Sequence, residues 1–172
     1  DLAISMLSTW NAFAPGAILT PKIVENSERQ FSDGHALADV SFEFLGIPVC
    51  QMSARFHRIG TGAFFSGDMP RTQSKATASE IAALAWTDSP NDLLMHHKDG
   101  LLAAIGHTQF APVRVTTLKL YQAEKCIALR EPHVSAAWQL YIMAERMPYR
   151  ILATPGELLS VTPLYAGVDG QA

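Results

Sequence analysis

The chain has 172 residues, a formal net charge of −3, and 48% hydrophobic and 17% charged residues. That length allows one large domain or two small ones, and the hydrophobic fraction supports a packed core, which excludes a disordered chain. The weak negative charge, with no Lys/Arg block, gives no electrostatic case for nucleic acid or an anionic membrane as a partner. Short apolar runs predict no membrane span and a cytoplasmic location, or an organelle matrix if the source is eukaryotic.

The first residue and the two cysteines indicate how the chain is processed and in which kind of compartment it lies. The first residue is Asp1 rather than Met, which indicates a chain that is cut or processed at its start. Cys50 and Cys126 lie far apart, and neither belongs to a CxxC motif. We expect two buried free thiols in a reducing compartment rather than a disulfide.

Residues 1–14 are either the end of a helix or an extended segment, stopped by the Pro-Gly pair that follows. Trp10 and Phe13 could line an acyl pocket, but we expect ordinary core positions because aromatic residues dominate cores. Residues 17–31 predict a strand, and Pro21 places it at a sheet edge.

The clearest signal is the alternation within residues 31–70, which predicts two antiparallel strands joined by a tight turn at Leu45-Gly46-Ile47-Pro48. One face of the sheet is predicted to be buried and the other to be wet. The residues predicted on the buried face are Ala38, Val40, Phe42 and Phe44 in the first strand, and Cys50, Met52, Ala54 and Phe56 in the second.

Residues 71–109 predict a polar linker that turns into helices. Thr77 and Glu80 have the spacing of a capping box, which would start a helix at about residues 78–86. Ser89 and Pro90 would start another helix as N-cap and first helical residue, and that helix should stop or bend near Gly100.

Strands return in the last third of the chain. Residues 112–121, 125–130 and 136–144 predict three of them, and in the third Trp138, Leu140 and Ile142 alternate with polar side chains.

Two blocks of residues resemble the acyl-CoA thioesterase II family of double hot-dog proteins. The first block is Asp33-Gly34, a strand, Gly46-Ile47-Pro48-Val49, Met52-Ser53-Ala54-Arg55-Phe56 and Met69-Pro70. The second is Pro112-Val113-Arg114-Val115, Pro132-His133, Trp138, Ala144 and Pro148. The resemblance covers about residues 17–70 and 110–148, and it implies a hot-dog fold and thioester hydrolysis.

The family's catalytic Asp, hydroxyl residue and Gln do not map onto this chain. The Asp would fall near residues 159–162, which read Leu-Ser-Val-Thr, and the other two would lie beyond residue 172. The catalytic residues are therefore unassigned from the sequence.

Other chemistry-bearing residues give weaker patterns. A carboxylate beside a histidine could replace the missing trio, so the pairs Asp33/His35 and Glu131/His133 are candidates, although turn chemistry explains Asp33. Adjacent histidines on a helix point about 100° apart, so His96-His97 predicts a solvated face and no metal site. Three further features carry no catalytic or cofactor pattern, namely Gly60-x-Gly62, Ser79 and Ser160.

We therefore predict an α+β protein of hot-dog type, with two hot-dog portions at residues 1–70 and 110–172 and a helical linker at residues 71–109. The expected function is hydrolysis of acyl-CoA or related acyl thioesters, with no cofactor. The alternatives are a non-catalytic acyl-binding or scaffold protein, and a hot-dog dehydratase or polyketide-tailoring enzyme that uses a His with a carboxylate. Exposed strand edges predict a homo-oligomer.

Overall fold

The computed structural model describes residues 1–70, 75–108, 117–130 and 133–164. It divides into two compact units, the first made of residues 1–83 and 127–134 and the second of residues 84–126 and 135–172. Both contain helix and antiparallel sheet, so the α+β class is confirmed. None of the helices in the described ranges is long and apolar enough to cross a membrane.

The first unit pairs a helix with an antiparallel sheet in the order β1-β3-β5-β6. Two short strands, β2 and β4, also pair with β3. The elements are α1 (Leu2–Phe13), β1 (Thr20–Ile23), β2 (Arg29–Gln30), β3 (His35–Phe44), β4 (Ile47–Pro48), β5 (Ala54–Ile59), β6 (Gly62–Gly67) and α2 (Lys75–Ala82).

Strand β3 confirms the predicted alternation, because Ala38, Val40 and Phe42 are all buried on one face. The turn after it is also confirmed: Leu45 and Gly46 both have positive φ, as a tight hairpin requires. The second predicted strand begins later than expected. Residues 50–53 are turn and irregular structure, because the short β4 ends at Pro48 and the chain must then cross to β5.

The sequence analysis did not predict strand β6. It follows β5 through a turn in which Gly60 has a φ of 59°, and it pairs with β5 over its whole length. Its alternate residues point to opposite faces of the sheet, as in any strand. Phe65 faces inward, whereas Phe64 and Ser66 lie on the outer face with their register partners His57 and Arg55.

The core of the first unit is an aromatic cluster between α1 and the inner face of the sheet. The Trp10 ring lies 4.8 Å from the Phe42 ring, and Phe65 packs against both Phe42 and Phe56. The indole Nε1 of Trp10 donates a hydrogen bond to the Leu19 carbonyl at 3.0 Å, which satisfies its buried polar atom. The other predicted core aromatic, Phe13, is 62% exposed at the end of α1, so that prediction is wrong for Phe13 and confirmed for Trp10.

At the start of the chain, the Asp1 carboxylate accepts a hydrogen bond from the Ala3 amide and caps α1. The helical alternative for residues 1–14 is therefore the observed one. Strand β1, which contains Pro21, stands first in the sheet order, as the edge prediction requires. Proline is tolerated at this position because it lacks a backbone N–H, and an edge strand has N–H positions that make no hydrogen bond within the sheet.

The helices before the second sheet begin only partly where predicted. Thr77 lies inside α2, which starts at Lys75 and ends at Ala82, so the predicted capping box does not start the helix. Helix α3 (Pro90–His96) starts as predicted, because the Ser89 hydroxyl accepts from the Asp92 amide at 3.1 Å. Helix α3 ends at His96 and, after the break at His97, the chain continues in α4 (Lys98–Thr108), so the predicted stop or bend is present but comes earlier than Gly100.

The second unit contains α3, α4 and most of a four-stranded antiparallel sheet in the order β10-β9-β8-β7. Two of the predicted strands are one long strand, and two further strands follow β8. The strands are β7 (Leu118–Arg130), β8 (His133–Ala144), β9 (Met147–Thr154) and β10 (Glu157–Pro163). Residues 127–134, where β7 ends and β8 begins, cluster with the first unit.

The core of the second unit confirms the alternation predicted for residues 136–144. Leu140 and Ile142 are buried, and the partly buried Trp138 packs against the same cluster. The helices contribute apolar side chains from one face each, and β9 contributes the middle of its length. The other buried members are Leu93, Leu94, Leu101, Ile105, Ala144, Tyr149, Ile151 and Ala153.

The prediction for the cysteines is wrong. Both Cys50 and Cys126 are disulfide-bonded, and no free cysteine is present among the described residues. The apolar pattern of residues 50–53 predicts a strand, whereas these residues form a turn and irregular structure. Cys50 instead follows β4 in a turn, where its backbone N–H donates to the Ile127 carbonyl at 2.9 Å.

Candidate functional site

Three polar side chains form a hydrogen-bonded row on the outer face of the first unit's sheet. The imidazole of His57, on β5, lies between His35 on β3 and Ser66 on β6. His57 Nε2 is 2.8 Å from Ser66 Oγ, and His57 Nδ1 is 3.1 Å from His35 Nε2. We call this row the relay.

The register of the three strands places the relay. His57 is paired with Leu37 on one side and with Phe64 on the other. His35 and Ser66 are therefore its diagonal neighbours on the same face, a position that long side chains reach across a sheet. Each of the three is partly buried, so the row is open to solvent but not freely solvated.

One tautomer satisfies both hydrogen bonds of the relay. If Ser66 donates its hydroxyl proton to Nε2 of His57, then Nδ1–H of His57 donates to Nε2 of His35. His57 is then a neutral base that faces the hydroxyl, and His35 holds its orientation. A hydroxyl, a base and a group that orients the base are the parts of an activated nucleophile.

The surroundings of His57 favour its neutral form. Partial burial, and after it electrostatic repulsion of the protonated form by His35 and Arg55, lowers the pKa of His57 from its ordinary value of 6.5. A base with a pKa below neutrality is unprotonated at pH 7 and can accept the hydroxyl proton. Among the described titratable groups, His57 is the one whose pKa is clearly shifted, which is a reason to look for chemistry there.

A charged pair borders the relay. Arg55 is the register partner of Ser66, and its Nε donates to Oδ1 of Asp39 on β3 at 3.1 Å. Directly opposed residues on an antiparallel pair have Cβ atoms ~5 Å apart, so the guanidinium can approach a group bound at Ser66 Oγ. Arginine stabilises a developing negative charge by paired N–H groups.

An aromatic row borders the relay on the same face. The imidazole of His57 stacks on Phe64 with 4.7 Å between centroids and 5° between planes. On its other side the His35 ring, which shares the Nδ1–Nε2 hydrogen bond with it, lies at 5.4 Å between centroids, and the Phe31 ring lies 5.4 Å beyond His35. Phe31 and Phe64, at the two ends of the row, are 48% and 47% exposed.

A cavity lies at the end of β6, and none of the three relay side chains is among its lining residues. Its volume is about 420 Å³, and Gly67, Asp68 and Met69 form one part of its wall. Gly67 has a φ of 85°, and a Cβ atom there would lie 2.5 Å from the Ser53 carbonyl oxygen. The close approach of these two backbones therefore requires glycine.

Comparison with known proteins identifies no relative. No protein-family model matches the chain, and no curated protein matches it significantly. The family resemblance described above therefore remains a proposal.

One of the candidate site residues predicted from the sequence is a member of the relay. His35 belongs to it, but Asp33 does not, because the Asp33 carboxylate accepts from the His35 backbone N–H at 2.9 Å rather than from the imidazole. This is the turn chemistry expected for Asp33. His133 is exposed at the start of β8, and Glu131 lies outside the described residues.

The adjacent histidines are separate from the relay. His97 Nε2 is 2.7 Å from the Thr154 carbonyl, and the rings of His96 and His97 meet edge to face. The described residues contain no group of three or more metal-ligating side chains. Ser79 is exposed, and Ser160 is partly buried in β10, at the place where the family's Asp would fall.

Sequence reasoning missed His57 and Ser66. The predicted second strand placed His57 on its polar face, which is where it lies. Ser66 was missed because β6 was not predicted. Gly60 with Gly62 marks a hairpin turn, and a strand after it would have placed Ser66 opposite Arg55.

Proposed function

We propose that this protein hydrolyses acyl thioesters, such as acyl-CoA or a related acyl thioester, at the relay. The observation that carries the proposal is the position of His57, within hydrogen-bond distance of a serine hydroxyl on one side and of a second histidine on the other. This is the arrangement of nucleophile, base and orienting group that acyl transfer uses. The geometry favours a serine nucleophile over direct attack by water.

The proposed reaction has two steps. Ser66 Oγ attacks the thioester carbonyl carbon while its proton passes to Nε2 of His57, and the C–S bond then breaks as His57 returns that proton to the leaving thiolate. Water next attacks the acyl ester on Ser66, with His57 again accepting and returning a proton, and the carboxylic acid is released. Arg55 supplies positive charge beside the carbonyl oxygen in both tetrahedral intermediates.

The family resemblance supports the same class of substrate by a separate route. The two motif blocks imply thioester hydrolysis and a hot-dog fold. In the first unit, an antiparallel sheet packs its apolar face on a helix, an arrangement compatible with that fold. The hot-dog fold, the acyl-CoA substrate and the homo-oligomer are parts of this proposal.

The cellular compartment also belongs to this proposal, and two observations that bear on it point to different compartments. Cytoplasm was expected from the composition, whereas a disulfide that involves both cysteines is typical of oxidising compartments. The described residues include no helix suited to crossing a membrane.

The direct test is thiol release from a panel of acyl-CoA thioesters. The wild-type chain should release thiol, and Ser66→Ala should lower the rate by about 10³-fold or more, as loss of a nucleophile does in comparable sites. Ser41→Ala is the matched control, because Ser41 lies on β3 and is partly buried but has no contact with His57 among its described hydrogen bonds. Equal rates for Ser66→Ala and the wild type would refute the proposal.

A covalent intermediate gives a second test. Rapid acid quenching during turnover should trap an acyl group on Ser66, which peptide mass spectrometry would locate. Water attack without an intermediate would leave Ser66 unmodified, and His57 would then be the base for water.

A second candidate function is the non-catalytic binding of an apolar ligand. It is favoured by a cavity of about 310 Å³ in the second unit, whose lining is almost entirely apolar. The lining residues are Tyr121, Tyr141, Ile142, Met143, Pro148, Tyr149 and Leu164. If no thioester is hydrolysed, saturable binding of a fatty acid, weakened on Met143→Gln at a half-buried lining position, would favour this function.

A further inference from the structure

The aromatic row beside Ser66 has a regular geometry. Phe31 directly follows β2, and His35, His57 and Phe64 lie on β3, β5 and β6; successive rings have centroid separations of 4.7 to 5.4 Å. These separations are close to the ~4.8 Å spacing of neighbouring strands. The row therefore repeats a ring at each strand, and the plane of the Phe64 ring is almost parallel to that of His57.

Phe64 stands at the end of this row. It lies on β6, the last strand in the order β1-β3-β5-β6, and one face of its ring is covered by His57. Phe64 is 47% exposed, so part of its ring is accessible to a ligand. A further planar ring stacked on Phe64 would continue the row at the same spacing.

Phe64 is also close to the proposed nucleophile. Phe64 and Ser66 are two residues apart in one strand and lie on the same face, so their Cα atoms are ~6.8 Å apart. This distance suits an acyl group in which one or two bonds separate the carbonyl carbon, bound at Ser66 Oγ, from a six-membered ring that stacks on Phe64. A flexible alkyl chain has no flat face to offer and gains less from an aromatic ring.

We propose that the acyl group preferred at the relay is aromatic, of the arylacetyl or benzoyl class, and that it stacks on Phe64. This inference rests on the proposed function for the identity of Ser66 as nucleophile. The charged Arg55 lies opposite Ser66 on the neighbouring strand β5, so the apolar acyl group has one favourable direction, along β6 toward Phe64.

The test separates binding from turnover. Ser66→Ala removes the nucleophile, so binding can be measured by titrating it with phenylacetamide or with hexanamide and following the backbone amide NMR signals of residues 62–67. We expect phenylacetamide to bind at least about fivefold more tightly than hexanamide, which is the range that one aromatic stack provides. Equal binding of the two amides would overturn the inference.

Variants at Phe64 identify the surface. Added to Ser66→Ala, Phe64→Leu should abolish the preference while it keeps the site apolar, and Phe64→Trp should keep it. Phe13→Ala is the control, because it removes a comparably exposed phenyl ring from α1. A preference that survives Phe64→Leu would overturn the inference.

Turnover distinguishes this inference from the proposed function. The wild-type chain should hydrolyse a phenylacetyl thioester faster than the hexanoyl thioester of the same thiol. Equal rates would overturn the aromatic preference and leave the hydrolase intact. No hydrolysis of either, with selective binding of phenylacetamide by Ser66→Ala, would overturn the hydrolase and uphold the aromatic site.

Discussion

Arg55 and Ser66 are direct register partners on β5 and β6, and both lie on the outer face of the first unit's sheet. The Nε–H of Arg55 is engaged by Asp39 at 3.1 Å. An ion pair this exposed contributes little to stability. It holds the guanidinium on the β3 side of β5, and the place of Arg55 directly opposite Ser66 is what gives this residue a part in the proposed chemistry.

Replacing Arg55 by Gln should therefore lower kcat for thioester hydrolysis by about 100-fold, the usual loss when one oxyanion donor is removed. The change should also raise the pKa of His57, since the positive charge of Arg55 helps to lower it. The measurement is kcat as a function of pH. Arg58→Gln is the control, because Arg58 bonds to Ser5 on α1 rather than to the relay. Arg55 has no role in the reaction if both variants behave alike.

His35 is predicted to be a positioning residue, because it touches His57 and not Ser66. His35→Leu should reduce kcat about tenfold or more by freeing the His57 ring, and His35→Asn should recover part of the rate because its carbonyl can accept from Nδ1–H. Removing the electrostatic repulsion between the two imidazoles should also raise the pKa of His57, so the acid limb of the rate profile should move to higher pH. A purely structural role would leave that limb in place.

The rate should depend on pH through His57. Its pKa in the folded chain lies below 6.5, so activity should be full at pH 7 and should fall as the pH drops below 6.5 through the lowered pKa. Stability follows the same direction. Between 6.5 and the folded pKa the unfolded chain binds more protons, so the contribution of neutral His57 is lost as pH falls. Chemical denaturation of the wild type and His57→Gln at several pH values would measure it, and parallel pH curves would contradict it.

Reduction of the disulfide should destabilise the fold. Removal of a native disulfide from a small domain typically costs ~2–5 kcal/mol, so dithiothreitol should lower the denaturation midpoint of the oxidised chain. The double variant Cys50→Ala/Cys126→Ala should already have the lower midpoint and should not respond to the reductant. A wild-type midpoint that is the same with and without dithiothreitol would show that the disulfide is absent in solution.

The aromatic core of the first unit should tolerate no truncation. Phe42 is fully buried against Trp10 and Phe65, so Phe42→Ala should lower the free energy of unfolding by ~3–5 kcal/mol. Phe13→Ala should change it by less than ~1 kcal/mol, because Phe13 is largely exposed. Urea denaturation of both variants gives the comparison, and similar losses would mean that α1 is packed differently.

The parts of the fold that sequence predicted are those in which local pattern and burial agree. Ala38, Val40 and Phe42 alternate because one side of β3 faces α1, and Ser89 with Pro90 starts α3 through a local hydrogen bond from the Asp92 amide to the Ser89 hydroxyl. Cys50 was misplaced because an apolar run does not reveal where a strand stops. The place where the strand stops depends on the hydrogen bond from the Cys50 amide to the carbonyl of Ile127, which is far along the chain.

The relay could not be predicted for the same reason. His35, His57 and Ser66 come together through the register of three strands, and register is set by two turns and by the burial of the opposite face. His35 was identified, but it was assigned to the wrong partner because Asp33 is its neighbour in sequence. Phe64 could not be predicted as part of a site, because a single exposed phenylalanine forms no periodic pattern in the sequence.

Gly67 restricts how this site can vary. Any side chain at that position would collide with the Ser53 carbonyl, so random mutagenesis of residues 64–68 should yield folded variants with many residues at positions 64 and 66 but with glycine retained at 67. Specificity and nucleophile could then be altered in the laboratory one residue at a time. The backbone that carries them would remain the invariant part of any engineered descendant.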